Sequence, residues 1–374
     1  MTKLHELLQS KLTDGLFGIE IETEGKNLSD AVPPQWKIDN DGSLRGRFPD
    51  QSAEYVLRKP LSLEKAIQAI ELLRKKHEDN KAEFNFSFRT SVHVHVNVQQ
   101  LTFNQYLNMI YTYLLVEEPL VHYCGKERIG NRFCLRLQDA EGLLDYLFML
   151  FRNGFSSMRH INGDAVRYAA INVAATTKYG SLEFRSLKGN MDVAYITTWL
   201  KALNSVRDFA MKYDNPQTIH DLFVKSEPVD FAKLVLGDTF ESFNYPDLEM
   251  DMRRSFSVSL ELPYNFVDKS KEYDAIAKEN KDRIERQRQE MDELLKQEAA
   301  RKERRQRERD EVLAERNPIA PIDFDEMLRR NAIAAARRER EQQVFAPPVR
   351  RVRVKPMVID DILNEAEYEI NIEE

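Results

Sequence analysis

Carboxylates, histidines and an arginine recur at alternate positions in three short stretches of the chain. FGIEIETEG (Phe17–Gly25) carries Glu20, Glu22 and Glu24. In an extended strand residues two apart share a face. Ile19 and Ile21 would then enter a core, with the three glutamates on the opposite side. NFSFRTSVHVHVNV (Asn85–Val98) alternates in the same way, with Val92, Val94, Val96 and Val98 on one face and His93, His95 and Asn97 on the other. In YGSLEFRSLKGN (Tyr179–Asn190), Glu183 and Arg185 share a face opposite Leu182 and Phe184, with which Ser186 is grouped. Stacked carboxylates offer oxygen ligands to hard cations, and a same-face histidine pair can ligand a metal or hold a phosphate. Each stretch taken alone also fits a plainer role: an exposed acidic face, an incidental histidine pair, a cross-face salt bridge.

Two more stretches belong with these. In WKIDNDGSLRGRFPDQSAEYVLRKPL (Trp36–Leu61), Asp39 and Asp41 sit in a glycine-containing turn and Glu54 enters the next strand. Arg167 and Asn172 flank RYAAIN, just before the Glu183 stretch.

Positioning these groups requires strands at Gly15–Thr23, Ala53–Leu57, Phe84–Val98, Ala169–Thr177 and Ser181–Leu187. Helical periodicity is read at Leu63–Lys76, Phe103–Val121, Glu141–Arg152 and Asp192–Tyr213. Strands separated by helices, with hairpin-like neighbours late in the chain, predict an α+β or mixed-sheet fold.

The 374 residues leave room for two or three domains, or one with extensions. Acidic residues number 62 against 55 basic, a net charge of −7, which argues against a generally basic, duplex-binding protein. Two cysteines, Cys124 and Cys134, are too few for a disulfide framework or a structural zinc site. No apolar run approaches the roughly 18 residues of a membrane span, and Met1–Gln9 lacks a signal-peptide pattern. The expectation is a reducing, cytoplasmic setting.

The charges are unevenly spread. Asp268–Arg316 contains no glycine or proline, and most of its residues are charged. Glu/Lys/Arg-rich sequence with opposite charges three or four apart favours helix, and about 48 residues would span about 70 Å. Apolar positions are too sparse between Leu295 and Val312 to sustain a heptad seam. The stretch therefore reads as a solvated rod, a weak coiled coil, or a helix for a partner. Asn317-Pro318 ends it, and a tail with short docking segments follows. The expected organisation is a domain over 1–267, a helix over 268–316 and a tail over 317–374, with the first part staying folded if Asp268–Glu374 is deleted.

The ordered set Glu-x-Glu, Asp-Gly-Ser…Glu-Tyr-Val…Pro, His-x-His, Arg…Asn and Glu-x-Arg resembles the phage and bacterial amidoligase family. These are carboxylate–amine ligases of the glutamine synthetase and glutamate–cysteine ligase superfamily. The resemblance covers roughly Phe17–Met211, and Asp268–Glu374 lies outside it. It implies a curved, mainly antiparallel sheet flanked by helices, with the site on the concave face. It further implies Glu20, Glu22, Glu54, His93 and Glu183 as metal ligands, with Asp41 preceding Glu54 in the Asp-Gly-Ser turn. His95 would lie closer to the acceptor substrate, and Arg185 would face the transferred phosphoryl group. Arg167 and Asn172 match the Arg…Asn element, and Arg132 resembles an arginine of the substrate loop; the resemblance thus implies Arg185, Arg167 and His95 as catalytic and Arg132, Asn172 and Arg185 as cofactor-binding.

Amide formation from a carboxylate and an amine is uphill, and phosphorylation by ATP supplies an activated acyl phosphate. That transfer needs cations for the phosphate oxygens and an arginine for developing charge. No Walker-type glycine-rich loop is present, so the nucleotide would rest on sheet and metals. The resemblance thus implies an ATP- and Mg²⁺-dependent ligase acting in the cytoplasm, that of the host if the chain is phage-encoded. Its substrates would be a carboxylate and an amine, either of them small or carried on a peptide or protein, with no membrane or strong nucleic-acid signal. A protein partner would meet the C-terminal helix and tail. A metal-dependent hydrolase, and a non-catalytic assembly protein keeping the ligase fold, are the alternatives.

Overall fold

The computed structural model describes residues 1–45, 51–160, 166–316 and 323–344. These fall into two units, Met1–Glu290 and Met291–Glu374.

In the first unit, seven strands form one sheet: β1 (Phe17–Lys26), β2 (Trp36–Asp39), β3 (Gln51–Leu57), β4 (Glu83–Phe84), β5 (Ser91–Asn97), β6 (Ile171–Asn172) and β7 (Ser181–Lys188). Their order is β2-β3-β1-β5-β7-β6, with β4 beside the end of β1, and every paired strand is antiparallel. The fold is α+β, as expected, and the alternation read from the sequence explains its layers. Phe17, Ile19, Ile21, Val92, Val94, Val96, Leu182 and Phe184 are fully buried on one face, in a core shared with the helices. A register shift between β5 and β7 sets Val92 opposite Leu187 but Val94 opposite Phe184, leaving an extra residue on β7. Such a bulge changes the side-chain phase, and both Phe184 and Leu187 reach the core.

The helices of this unit are α1 (Leu4–Leu8), α2 (Leu63–Asp79), α3 (Phe103–Leu115), α4 (Glu117–Cys124), α5 (Glu141–Asn153), α6 (Ala175–Tyr179), α7 (Val193–Ala210), α8 (Pro216–Lys225), α9 (Pro228–Leu236) and α10 (Leu248–Ser259). Their starts carry the expected chemistry. Ser62 caps α2, a Thr102–Gln105 capping box opens α3, and Asp192 caps α7. Tyr113 on α3 packs its ring 5.0 Å from that of Phe184, and Trp36 Nε1 donates to the Ala69 carbonyl of α2.

Three sequence expectations change. The helix expected over Phe103–Val121 breaks at Val116, because Pro119 has no N–H to donate and clashes with the carbonyl four residues back. The strand expected over Ala169–Thr177 shrinks to β6: Asn172 Oδ1 accepts from the Ala174 N–H, turning the chain into α6, which Gly180 closes in the left-handed region. The Phe84–Val98 strand divides into β4 and β5 around a turn in which Ser87 accepts from Thr90.

The charged helix α11 runs from Ser270 to Arg316, 47 residues. Its first turns belong to the first unit, which runs to Glu290. Tyr273 is buried with Phe103 and Phe155, its hydroxyl accepting from the Phe155 N–H. Asn280 accepts from Gln9 Nε2. In the second unit Met291, Leu294 and Leu295 of α11 are exposed, so no seam is covered among the described residues. Part of the tail forms α12 (Phe324–Val344), also exposed. The Asn317-Pro318 stop and the segments after Val344 lie outside the described residues. No helix among the described residues is long and apolar enough to cross a membrane.

Candidate functional site

The polar side chains stand on the sheet face away from the core, and strand register brings distant residues together. Glu20 on β1 pairs with His93 on β5, His95 on β5 with Glu183 on β7, and Glu22 on β1 with Glu54 on β3. Gly18 lies opposite His95, where an added Cβ would stand 3.3 Å from the histidine Cβ. The bare backbone leaves the imidazole its room.

Three ligand atoms, one each from Glu20, His95 and Glu183, lie within 4.8 Å of one another. His95 Nε2 is 3.4 Å from Glu20, and its Nδ1 meets Ser181 Oγ at 3.0 Å. His93 sits one step along the strand and is tied differently. Its Nδ1 is 3.2 Å from Glu20, and its Nε2 is 2.7 Å from Ser91 Oγ. Ser91 donates its only proton to Glu22 at 2.6 Å, so His93 Nε2 must be the donor to the serine oxygen. Glu183 is held by Asn172 Nδ2 at 2.7 Å and by an ion pair with Arg185, whose Nε also donates to the Phe133 carbonyl.

Charge divides this face in two. Burial pushes the Glu20 carboxyl up, but hydrogen bonds from His93 and His95 outweigh it and hold the group well below the carboxylate range. Burial acts likewise on Glu183, and Arg185 with the two histidines brings it below its ordinary value. His95 is in turn raised, since its hydrogen bond to Glu20 and the charge of Glu183 overcome its desolvation. On the β1–β3 side burial and like charges prevail. Burial raises Glu22 despite His93 and Ser91, and burial together with Glu20, Glu22, Asp41 and Asp39 pushes Glu54 up to about 8. Asp41 is lowered, because Ser43 donates to it from both backbone and hydroxyl.

An open cleft of about 360 Å³ adjoins the cluster, lined by half-buried Glu20, Glu54 and His95 and by exposed Arg58, Lys59 and Tyr179, whose ring meets that of His95 edge-on at 5.5 Å. Glu24 lies away from the cluster, accepting from the Arg45 N–H. Thus the register gathers Glu20, Glu22, Glu54, His93, His95, Glu183, Asn172 and Arg185. Arg132 and Arg167 are exposed outside the cluster, their guanidinium groups over Phe133 and Tyr168. Ser91 and Ser181 were missed from sequence, although each lies two positions before a chosen residue on the same face.

No protein-family model matches the chain, and no curated protein matches it. Among solved structures it is similar to a bifunctional glutathione synthetase from Pasteurella multocida, at 11% identity and a TM-score of 0.32. The match covers 70% of this chain and 49% of that one, so the chain spans about half the length of that protein. A likeness at this level identifies neither fold nor reaction.

Proposed function

We propose that the chain is an ATP-dependent carboxylate–amine ligase built on a curved, glutamine synthetase-like sheet, forming an amide through an acyl phosphate with two Mg²⁺ ions. The observation that carries this reading is the gathering of Glu20, Glu22, Glu54 and Glu183 with two histidines and Arg185 on one sheet face. The donor set fits such ions. Carboxylate oxygens suit hard cations, and burial with neighbouring carboxylates raises both Glu22 and Glu54. In this reading Glu20, Glu183 and a histidine hold one ion, and Glu22 and Glu54 hold the other. Bound there, Mg²⁺ would neutralise phosphate oxygens.

The chain's own groups do the rest. Arg185, steadied by Glu183 and the Phe133 carbonyl, offers its guanidinium to the charge that develops on the transferred phosphoryl group. Asn172 fixes the Glu183 carboxylate, and Ser91 fixes His93. His95, open to the cleft, orients the acceptor. Arg167 and Arg132 draw anionic substrate groups toward the cluster. The substrates are a carboxylate and an amine, small or carried on a peptide or protein, with residues 268–374 contacting a protein partner in the cytoplasm.

The test is ADP and phosphate release by the purified chain with Mg²⁺, ATP and panels of carboxylates and amines. Glu20→Ala and Glu183→Ala should abolish it, and full turnover by either variant would refute the assignment. The mixed Glu20–His95–Glu183 set also suits a metal-dependent hydrolase, which turnover without ATP would favour.

A further inference from the structure

Beside the carboxylate cluster lies a row of exposed aromatic rings faced by arginines. Phe88 is 55% exposed and Tyr168 41%. The Phe88 and Phe133 rings stack at 6.4 Å, and Phe133 meets Tyr168 edge-on at 6.0 Å. Arg89 lies 5.1 Å from the Phe88 centroid and 5.7 Å from that of Phe133. Arg132 is 4.8 Å from Phe133, and Arg167 is 5.5 Å from Tyr168.

These rings come from three loops locked side by side. Asn131 Nδ2 donates to the Phe88 carbonyl at 3.0 Å, and the Leu135 N–H to the Tyr168 carbonyl at 2.7 Å. The row meets the cluster at Arg185, which donates to the Phe133 carbonyl. The guanidinium–ring contacts of Arg89, Arg132 and Arg167 all fall within this one strip. Arg89, Arg132 and Arg167 form no ion pair among the described residues, and Arg89 donates to the Ser43 carbonyl at 3.3 Å.

Resting on the ligase reading above, we propose that this strip is the subsite for a nucleoside triphosphate, with the base on Phe88 or Tyr168 and the phosphates drawn by the arginines toward Arg185. A π-face beside unpaired guanidinium groups selects a ligand that is planar at one end and anionic at the other. Single-stranded nucleic acid shares that chemistry but fits less well. The chain carries a net charge of −7, and the strip runs into carboxylates that would repel a continuing phosphodiester backbone. A mononucleotide ends where the carboxylates begin.

Calorimetry on the full chain with Mg²⁺ tests this, using a non-hydrolysable ATP analogue and inorganic tripolyphosphate as probes. Phe88→Ala and Tyr168→Ala change exposed rings and should leave the fold intact. At least one should weaken the analogue roughly tenfold, the loss of one base–aromatic stack, and leave tripolyphosphate binding unchanged. Arg132→Ala should weaken both probes. If the wild type binds the analogue and both ring variants match it within about twofold, the strip is not the base subsite while the ligase reading stands. An equal loss of tripolyphosphate binding in the ring variants also overturns the assignment. If the wild type binds neither probe, the ligase reading fails and this inference with it. Tighter binding of an oligothymidylate than of the analogue overturns it in favour of nucleic acid.

Discussion

Replacing Glu54 by glutamine should stabilise the metal-free protein, and only at neutral to alkaline pH. Burial and the carboxylates Glu20, Glu22, Asp41 and Asp39 raise this group from its ordinary 4.5 to about 8. The folded protein therefore holds the Glu54 proton more tightly than the unfolded chain does. The associated stability is fully present below about pH 4.5 and is lost as pH rises through 8. At 1.36 kcal/mol per pH unit, the displacement would cost about 5 kcal/mol for a fully buried group. Glu54 is only half-buried, and solvent screening brings this to roughly 2 kcal/mol. Glutamine keeps the shape and carries no charge, so Glu54→Gln should match wild type near pH 5 and exceed it by about 4–8 °C in Tm at pH 8. The scans belong in chelator at both pH values. Glu22, His95 and Glu117 are also raised and are present in both proteins, so the difference reports Glu54 together with its coupling to the neighbouring carboxylates. Added Mg²⁺ should stabilise the wild type more than the variant. A variant less stable than wild type at pH 8 in chelator would refute the electrostatic reasoning.

Two further predictions concern the scaffold. A chain ending at Glu290 should keep the denaturation midpoint of the first unit, whereas one ending at residue 267 should lose about 3–5 kcal/mol with the buried Tyr273 ring; equal urea midpoints would show that the start of α11 does not support the core. Arg136 binds both oxygens of buried Glu118, at 3.2 and 2.9 Å, so Arg136→Ala should cost about 3–5 kcal/mol. Adding Glu118→Gln should restore most of that loss in the same urea titration, and no recovery would mean the cost lay in packing.

Period-2 alternation made the layers of the sheet readable before any coordinates. Ile19 and Ile21 against Glu20 and Glu22, and the valines against His93 and His95, fell on the faces their spacing implied. What alternation lacks is register. Nothing local in β5 or β7 says that His95 stands opposite Glu183, because that pairing joins segments almost ninety positions apart through the whole fold. Trp36–Asp39 went unread as a strand because it is four residues long and bounded by Pro33-Pro34 and the Asp41-Gly42 turn. The helices between Tyr213 and Phe266 were also unread. Two had a signal, since Pro216 and Pro228 each stand at the first helical position, with Asn215 capping the earlier one. The strand boundary near Asn172 failed because its side chain competes for the backbone, a local hydrogen bond that overrides β propensity.

Register also bears on the chemistry. Had β5 paired with β1 one residue out of step, His93 and His95 would have faced the core and Glu20 would have stood among uncompensated acids. As built, the histidines compensate the β1–β5–β7 side, where Glu20 and Glu183 remain ionised. They leave the β1–β3 side, Glu22 and Glu54, carrying the electrostatic cost. An acidic pair raised by burial and like charge, beside an ionised, histidine-supported trio, is poised to gain from a cation. Magnesium binding should therefore be weakened more by Glu54→Gln at pH 8 than at pH 6, where the wild-type group is already largely protonated. Calorimetric Mg²⁺ titrations at the two pH values measure that difference, and equal losses at both would separate Glu54 from the ion.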